Sequence, residues 1–361
     1  MSPAEFAAAQ WSRATGAGVD PHEYRRVTDG LASVADWGPS FRRTGHGYLQ
    51  RAQAAGSARS AGEYLLMAAR WFHLSTLAPH AEAHRAAAEA DHALSRALTM
   101  LEPGARRVSG EGFTGWLRGP SDARGTVIVV PGLDSAKEEF LDLVSALLAR
   151  GLAVFAMDGP GQGVLAATST FVPDYERVVG RVIDAFGGAA RTGVVGGVGG
   201  VGGVGGVGGV GGVGGVGGVG PVGLVGLSLG GYFAARAAAL EPRVAAVATV
   251  SGPFRLDWEE LPPPVRDIMA QRAGGADAAR EFARRVDLAA LAPRITAPLL
   301  VVDGGQDVIP GVTNGESLAR LAPHGTYLSV PHGDHLLGNA RADWLPRLSD
   351  HIAHALTGTP A

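Results

Sequence analysis

The hexapeptide Gly226-Leu227-Ser228-Leu229-Gly230-Gly231 sets a serine between glycines in the pattern G-x-S-x-G. In a glycine-rich chain the match alone says little; its surroundings say more. The apolar run Val222 to Leu227 precedes it, and Tyr232-Phe233-Ala234-Ala235-Arg236-Ala237-Ala238 reads as a helix start after it. A strand, a sharp turn and a helix in that order hold a serine hydroxyl exposed on a strained corner. A serine hydroxyl is a poor nucleophile until a base takes its proton. The base in turn needs an acid that fixes its tautomer and stabilises its cation.

Two downstream segments offer these partners. Asp307 lies in Gly304-Gly305-Gln306-Asp307-Val308-Ile309-Pro310, just after a strand-like run, and His335 lies in Gly333-Asp334-His335, just after the next. Asp303, four residues before Asp307, competes for the acid's place, and His332 and Asp334 flank His335. The expected trio is Ser228, Asp307 and His335. Acyl transfer also needs donors aimed at the developing oxyanion, usually two backbone N–H groups. One is expected from Leu229, after the nucleophile. The other is expected from Pro131-Gly132-Leu133-Asp134, most simply Leu133. Asp134 is either a group that orients substrate or helps a proton transfer, or a plain turn carboxylate.

The elements that must position these residues fall into two stretches. Residues 1–104 read as helices: Ser60-Ala61-Gly62-Glu63 has the form of a capping box, Leu65, Ala68, Phe72 and Ser75 keep a helical rhythm, and Leu94, Leu98 and Leu101 form a second stripe before Pro103-Gly104. Trp11, Trp37 and Trp71 lie here, as bundle core or as pocket wall. From 105 onward a leading hairpin (Arg106 to Val108, Phe113 to Leu117) gives way to short apolar runs spaced by helical ones: Thr126 to Val130, Leu152 to Met157, Val222 to Leu227, Val244 to Val250, Pro298 to Val302 and Tyr327 to Val330. Such runs mark a parallel sheet buried on both faces, whose strand ends carry the ligands. Residues 254–291, with Trp258, Pro262-Pro263-Pro264 and a charged run from Asp277 to Arg285, read as a lid insertion.

Composition bounds the alternatives. Lys plus Arg is 31 and Asp plus Glu 34, a near-balance that argues against nucleic acid or an anionic membrane as the main partner. There is no cysteine, so no disulfide, zinc–thiolate site, iron–sulfur cluster or cysteine nucleophile exists, and no cofactor or metal is expected. Met1-Ser2-Pro3-Ala4-Glu5 has neither the basic nor the apolar region of a signal peptide, and no apolar stretch approaches the about 20 residues a membrane span needs. A cytoplasmic protein that takes a small-molecule substrate is the expectation. Gly occurs 55 times in 361 residues, largely because Gly-Gly-Val repeats eight times from Gly196 to Val219. A period of three fits neither strand nor helix. The run is expected to be a tolerated low-complexity loop. Lengthening a loop from about 6 to about 30 residues costs only about 1.5 kcal/mol.

Four segments carry a narrower resemblance: Pro131-Gly132-Leu133-Asp134-Ser135-Ala136-Lys137-Glu138-Glu139, Asp158-Gly159-Pro160-Gly161-Gln162-Gly163, the Ser228 elbow with its second glycine, and Gly333-Asp334-His335. The order Ser, acid, His is that of α/β-hydrolases. Within them the chain resembles the 2,6-dihydroxypseudooxynicotine hydrolase and fungal pigment-polyketide hydrolase group. Gly62-Glu63-Tyr64-Leu65-Leu66 and Trp71-Phe72-His73 are similar to that group's N-terminal cap. The resemblance implies an α/β-hydrolase fold at 105–361, a helical cap domain at 1–104 and an active site between them. It also implies cleavage of carbon–carbon bonds in acyl-aromatic or β-diketone substrates, with a homodimer as a further expectation. In the nicotine-degrading relative a Glu follows the turn and assists catalysis; Asp134 stands here, one methylene shorter. Tyr232 replaces a small polar residue beside the serine. Tyr232, Trp71 and Trp258 are the candidate substrate-binding aromatics. A carboxylesterase or thioesterase, and a non-catalytic ligand-binding protein on the same scaffold, are the competing readings.

Overall fold

The computed structural model describes residues 1–189 and 220–358, so the Gly-Gly-Val run lies outside the described residues. Five helices come first: α1 (Pro3–Gly16), α2 (Pro21–Thr28), α3 (Trp37–Gln53), α4 (Ala58–Ser75) and α5 (Ala83–Leu101). Local chemistry starts them. Ser2 and Glu5 form a reciprocal capping box on α1, and Asp20 accepts the Glu23 N–H at the head of α2. The helix containing Leu65 begins one turn earlier than the Ser60 pattern predicts. Ser57 is its cap and accepts the Ser60 N–H, which leaves Gly62 and Glu63 inside the helix. Trp37, Phe41, Trp71 and Phe72 fill the space between these helices, with Trp37 stacked on Phe41 at 3.9 Å.

The remaining chain builds one eight-stranded sheet from β1 (Arg106–Gly110), β2 (Phe113–Arg118), β3 (Thr126–Val130), β4 (Ala153–Asp158), β5 (Val222–Leu227), β6 (Val244–Val250), β8 (Leu299–Gly304) and β10 (Gly325–Val330). Their spatial order is β1-β2-β4-β3-β5-β6-β8-β10. The β1–β2 and β2–β4 pairs are antiparallel and every other pair is parallel. Successive side chains of a strand point to opposite faces, and the runs fill both. Ile128, Leu224 and Val301 pack on one face with α7 (Tyr175–Ala189), α8 (Leu229–Leu240), α10 (Ala276–Arg285) and α11 (Glu316–Leu321). Val127, Val225 and Val302 pack on the other with α6 (Leu141–Leu148) and α12 (Arg341–Thr357). At residues 254–291 lie α9 (Pro263–Ala273), α10 and β7 (Arg255–Leu256), which pairs with β9 (Val312–Thr313).

Because β3, β5, β6, β8 and β10 run the same way, their carboxyl ends share one edge of the sheet. That geometry brings Pro131, Ser228, Ser251, Asp307 and His335 toward one mouth although as many as 204 residues separate them (335 − 131).

Candidate functional site

Ser228 sits at the step from β5 into α8 with φ 54° and ψ −129°. A side chain adopts that left-handed backbone only under constraint. Here the constraint is a pair of bonds: the Ser228 N–H donates to the Val250 carbonyl at 2.8 Å and the Ser228 carbonyl accepts the Gly231 N–H at 2.7 Å. The hydroxyl is thereby lifted toward the loops of β8 and β10. His335 Nε2 lies 3.0 Å from Ser228 Oγ, and His335 Nδ1 lies 2.9 and 3.0 Å from the two oxygens of Asp307. An ionised carboxylate only accepts, so Nδ1 carries the hydrogen and Nε2 is left to accept from the serine.

The loops that carry Asp307 and His335 are bonded to each other. Gly305 N–H donates to the Val330 carbonyl at 2.8 Å and Gln306 N–H to the Gly333 carbonyl at 2.9 Å. The competing residues lie elsewhere. Asp303 is buried at the end of β8, accepting the Gly315 N–H at 2.8 Å, while His332 faces Asp343 at 3.1 Å on the surface.

Gly132 and Leu133 pass directly under the serine. A Cβ on Gly132 would stand 2.9 Å from Ser228 Cβ, so glycine is what permits the approach. The Leu133 N–H has no backbone acceptor among the described residues. Leu229 is the first residue of α8, where an N–H has no acceptor within the helix. Both leucines, with Ser228 and His335, line a cavity of about 260 Å³. Its far wall is aliphatic, from Leu256, Leu261, Val265, Ile268, Met269 and Ile309.

Asp134 also lines this cavity, and its surroundings were not legible in the sequence. Arg13 of α1 reaches it at 3.0 Å through Nη1, donates to Ser135 Oγ at 3.1 Å, and grips Glu139 with Nε at 2.6 Å and Nη2 at 2.9 Å. His73 Nε2 adds a contact to Glu139 at 2.9 Å. Burial pushes the Asp134 carboxyl up, but Arg13 outweighs it and holds the group below the usual carboxylate range. Glu139 is likewise held below its usual range, against its burial, by Arg13 and His73. Asp134 is therefore ionised at neutral pH and serves as an acceptor, not a proton donor.

The three aromatic residues expected to bind substrate do not line the cavity. Tyr232 points away from it and donates to the Arg285 carbonyl at 2.8 Å. Trp71 is enclosed in the N-terminal helical core, and Trp258 packs into the cluster on one face of the sheet. Large rings are most easily buried whole in a core, and that is where these three lie. The residues that sequence reasoning missed are Gln10 and Arg13, which enter the cavity from α1, and Ser251, whose Oγ accepts the Leu336 N–H at 2.9 Å. Ser251 ends a strand, which was a usable signal; nothing local marks Arg13.

No metal-binding cluster of His, Asp or Glu occurs among the described residues, and no helix there is long and apolar enough to cross a membrane. No family model matches the chain. The chain is 28% identical to the 2,6-dihydropseudooxynicotine hydrolase of Paenarthrobacter nicotinovorans over 322 residues, 82% of this chain and 79% of that one. It is 33% identical to Hydrolase LUC6 of a Fusarium species over 143 residues, 38% of this chain and 29% of that one. Among solved structures, the 2,6-dihydroxy-pseudo-oxynicotine hydrolase superposes with a TM-score of 0.79 at 24% identity, covering 97% of each chain. AbyA5 superposes at 0.65 and 18% identity, covering 92% of this chain and 93% of that one. With its mostly parallel sheet, its serine elbow and these structural likenesses, the chain has the α/β-hydrolase fold.

Proposed function

We infer that the protein is a serine hydrolase whose nucleophile is Ser228, whose base is His335 and whose orienting acid is Asp307. The observation that carries this reading is the unbroken chain of contacts from Asp307 through His335 to Ser228 Oγ at the wall of the cavity. Ser228 attacks a substrate carbonyl while His335 takes its proton. The Leu133 and Leu229 N–H groups stabilise the oxyanion. Collapse breaks the bond to the leaving group, which takes the proton from His335. His335 then draws a proton from water, which hydrolyses the acyl-serine and releases the acid.

The substrate class proposed is an acyl-aromatic or β-diketone compound cleaved at carbon. A carbon leaving group departs only as a stabilised anion such as an enolate, and a β-diketone supplies one. The aliphatic far wall suits the apolar part of such a molecule, and Asp134, ionised by Arg13, suits a substrate hydroxyl or ammonium that donates to it. Residues 1–104 act as the cap, since α1 supplies Gln10 and Arg13 to the cavity.

The test is hydrolysis by the purified protein and its Ser228→Ala variant of an aryl acetate, an acyl-CoA and several phenyl β-diketones, read by mass spectrometry. Removing the nucleophile should lower kcat by about 10⁴-fold or more. Cleavage of β-diketones at carbon, lost in the variant, supports the full reading. Turnover of the acetate or the thioester alone makes the protein an esterase or thioesterase. Ligand binding with no turnover of any substrate overturns the enzymatic assignment of these residues.

A further inference from the structure

The segment after β4, Asp158-Gly159-Pro160-Gly161-Gln162-Gly163, has no part in the reaction as written, yet Gln162 is wholly buried beside the turn that carries Leu133. A glutamine amide has two donor hydrogens and an oxygen with two lone pairs. Here all four are used. Nε2 donates to the Pro131 carbonyl at 2.5 Å and to the Gly132 carbonyl at 3.1 Å. Oε1 accepts the Gly159 N–H at 3.0 Å and the Tyr175 hydroxyl at 2.9 Å. Carbonyls only accept and a backbone N–H only donates, so the amide has a single workable orientation. Burial and then Asp158 push the Tyr175 phenol above its ordinary value, which keeps the hydroxyl protonated and donating. Glycine at 159 makes room for the pair: a Cβ there would stand 2.2 Å from Tyr175 Oη and 2.7 Å from Gln162 Oε1.

The Gly132 carbonyl and the Leu133 N–H belong to one peptide group. No cis peptide occurs among the described residues, so the two point in opposite directions on a rigid plane. To hold the carbonyl is to aim the N–H. We propose that Gln162, braced by Tyr175, is a positioning residue that directs the Leu133 N–H at the oxyanion formed when Ser228 attacks. The proposal rests on the Ser228 reading given above. It assigns a task to a glycine-rich segment far from Ser228 in sequence.

An oxyanion-aiming role acts on the transition state and leaves ground-state binding alone. Gln162→Met keeps the length and loses all four bonds; Tyr175→Phe removes one. With 4-nitrophenyl acetate, Gln162→Met should lower kcat about ten- to hundredfold with KM within about threefold, against the 10²–10³ that follows outright loss of a donor. Tyr175→Phe should lower kcat by a smaller factor. Phenyl trifluoromethyl ketone adds to a serine as an oxyanionic hemiketal, so its affinity should weaken in step with kcat/KM. Acetophenone, bound without addition, should keep its affinity. Equal weakening of both ketones marks a packing role and overturns the proposal. So does a folded Gln162→Met enzyme with wild-type kcat. Should Gln162→Met fail to fold, Tyr175→Phe decides: an unchanged kcat and hemiketal affinity overturn the proposal. The parent reading is tested separately by Ser228→Ala. Undiminished turnover there removes both, whereas a dead Ser228→Ala beside an unimpaired Gln162→Met removes the Gln162 role alone.

Discussion

Two aspartates leave the end of β8 four positions apart, and their surroundings divide them. Asp307 faces His335 at 2.9 Å, while Asp303 is 1% exposed and takes one backbone N–H, from Gly315. Burial lifts the Asp303 carboxyl from 3.8 to about 6; the Gly315 bond opposes the lift, and the nearby Asp307 charge adds to it. A carboxyl raised on folding favours its protonated form in the folded state. Its contribution to stability is whole below about pH 4 and is lost as the pH climbs through about 6. Asp303→Asn, which mimics the protonated form, should therefore stabilise the protein at pH 8 by about 3 kcal/mol and change little at pH 4. Urea unfolding at the two pH values checks this, and an equal gain at both would contradict it. Removal of a buried unpaired charge is the reason for the sign.

At the scale of elements, ion pairs join the helical region to the sheet. Arg13 of α1 holds Glu139 and Asp134. Asp91 of α5 meets Lys137 at 3.0 Å, and Lys137 also meets Asp158 at 2.7 Å and Glu138 at 2.8 Å. Such pairs contribute little net stability compared with apolar packing, but breaking one side strands a buried charge. Arg13→Met should thus cost about 3–5 kcal/mol at pH 7, with part recovered in Arg13→Met/Glu139→Gln. The Glu139 carboxyl lies below its ordinary 4.5, so the wild-type protein loses this contribution as the pH falls below that value. Chemical unfolding of the single and double variants at pH 7 and pH 4 gives the comparison. A single variant as stable as the wild type at pH 7 would show that water compensates Glu139. Because α1 also walls the cavity, the KM of the single variant should rise.

At the scale of the molecule, the sheet separates the site from the joint with the Gly-Gly-Val run. That run, 196–219, joins the described chain just before β5, whose first residue is Val222 and whose last is Leu227, next to Ser228. Six residues of strand span about 20 Å. Deletion of the run should therefore leave kcat toward an aryl acetate within about twofold, since a shorter connection changes closure entropy by only about 1.5 kcal/mol. A tenfold or greater loss of kcat in a folded deletion variant would falsify the separation.

What could be read directly from the residues was whatever depends on short-range order. The apolar runs specify buried strands because a sheet covered on both faces needs them. The glycines around Ser228 specify a tight elbow because a side chain there would collide. The positions of Asp307 and His335 follow because residues after parallel strands gather at one edge. The parts decided only by tertiary packing are those that depend on which distant surfaces meet. Arg13 lies in a helix of ordinary pattern, and no local rule says that its guanidinium will neutralise Asp134, 121 positions away. Tyr232, Trp71 and Trp258 look like a binding wall by type, yet the packing turns them into cores, and aliphatic residues from 256–269 and Ile309 form the wall instead. Gln162 is the same case: its four partners come from three separate segments, and the amide acquires its task only when the sheet brings β3 beside β4.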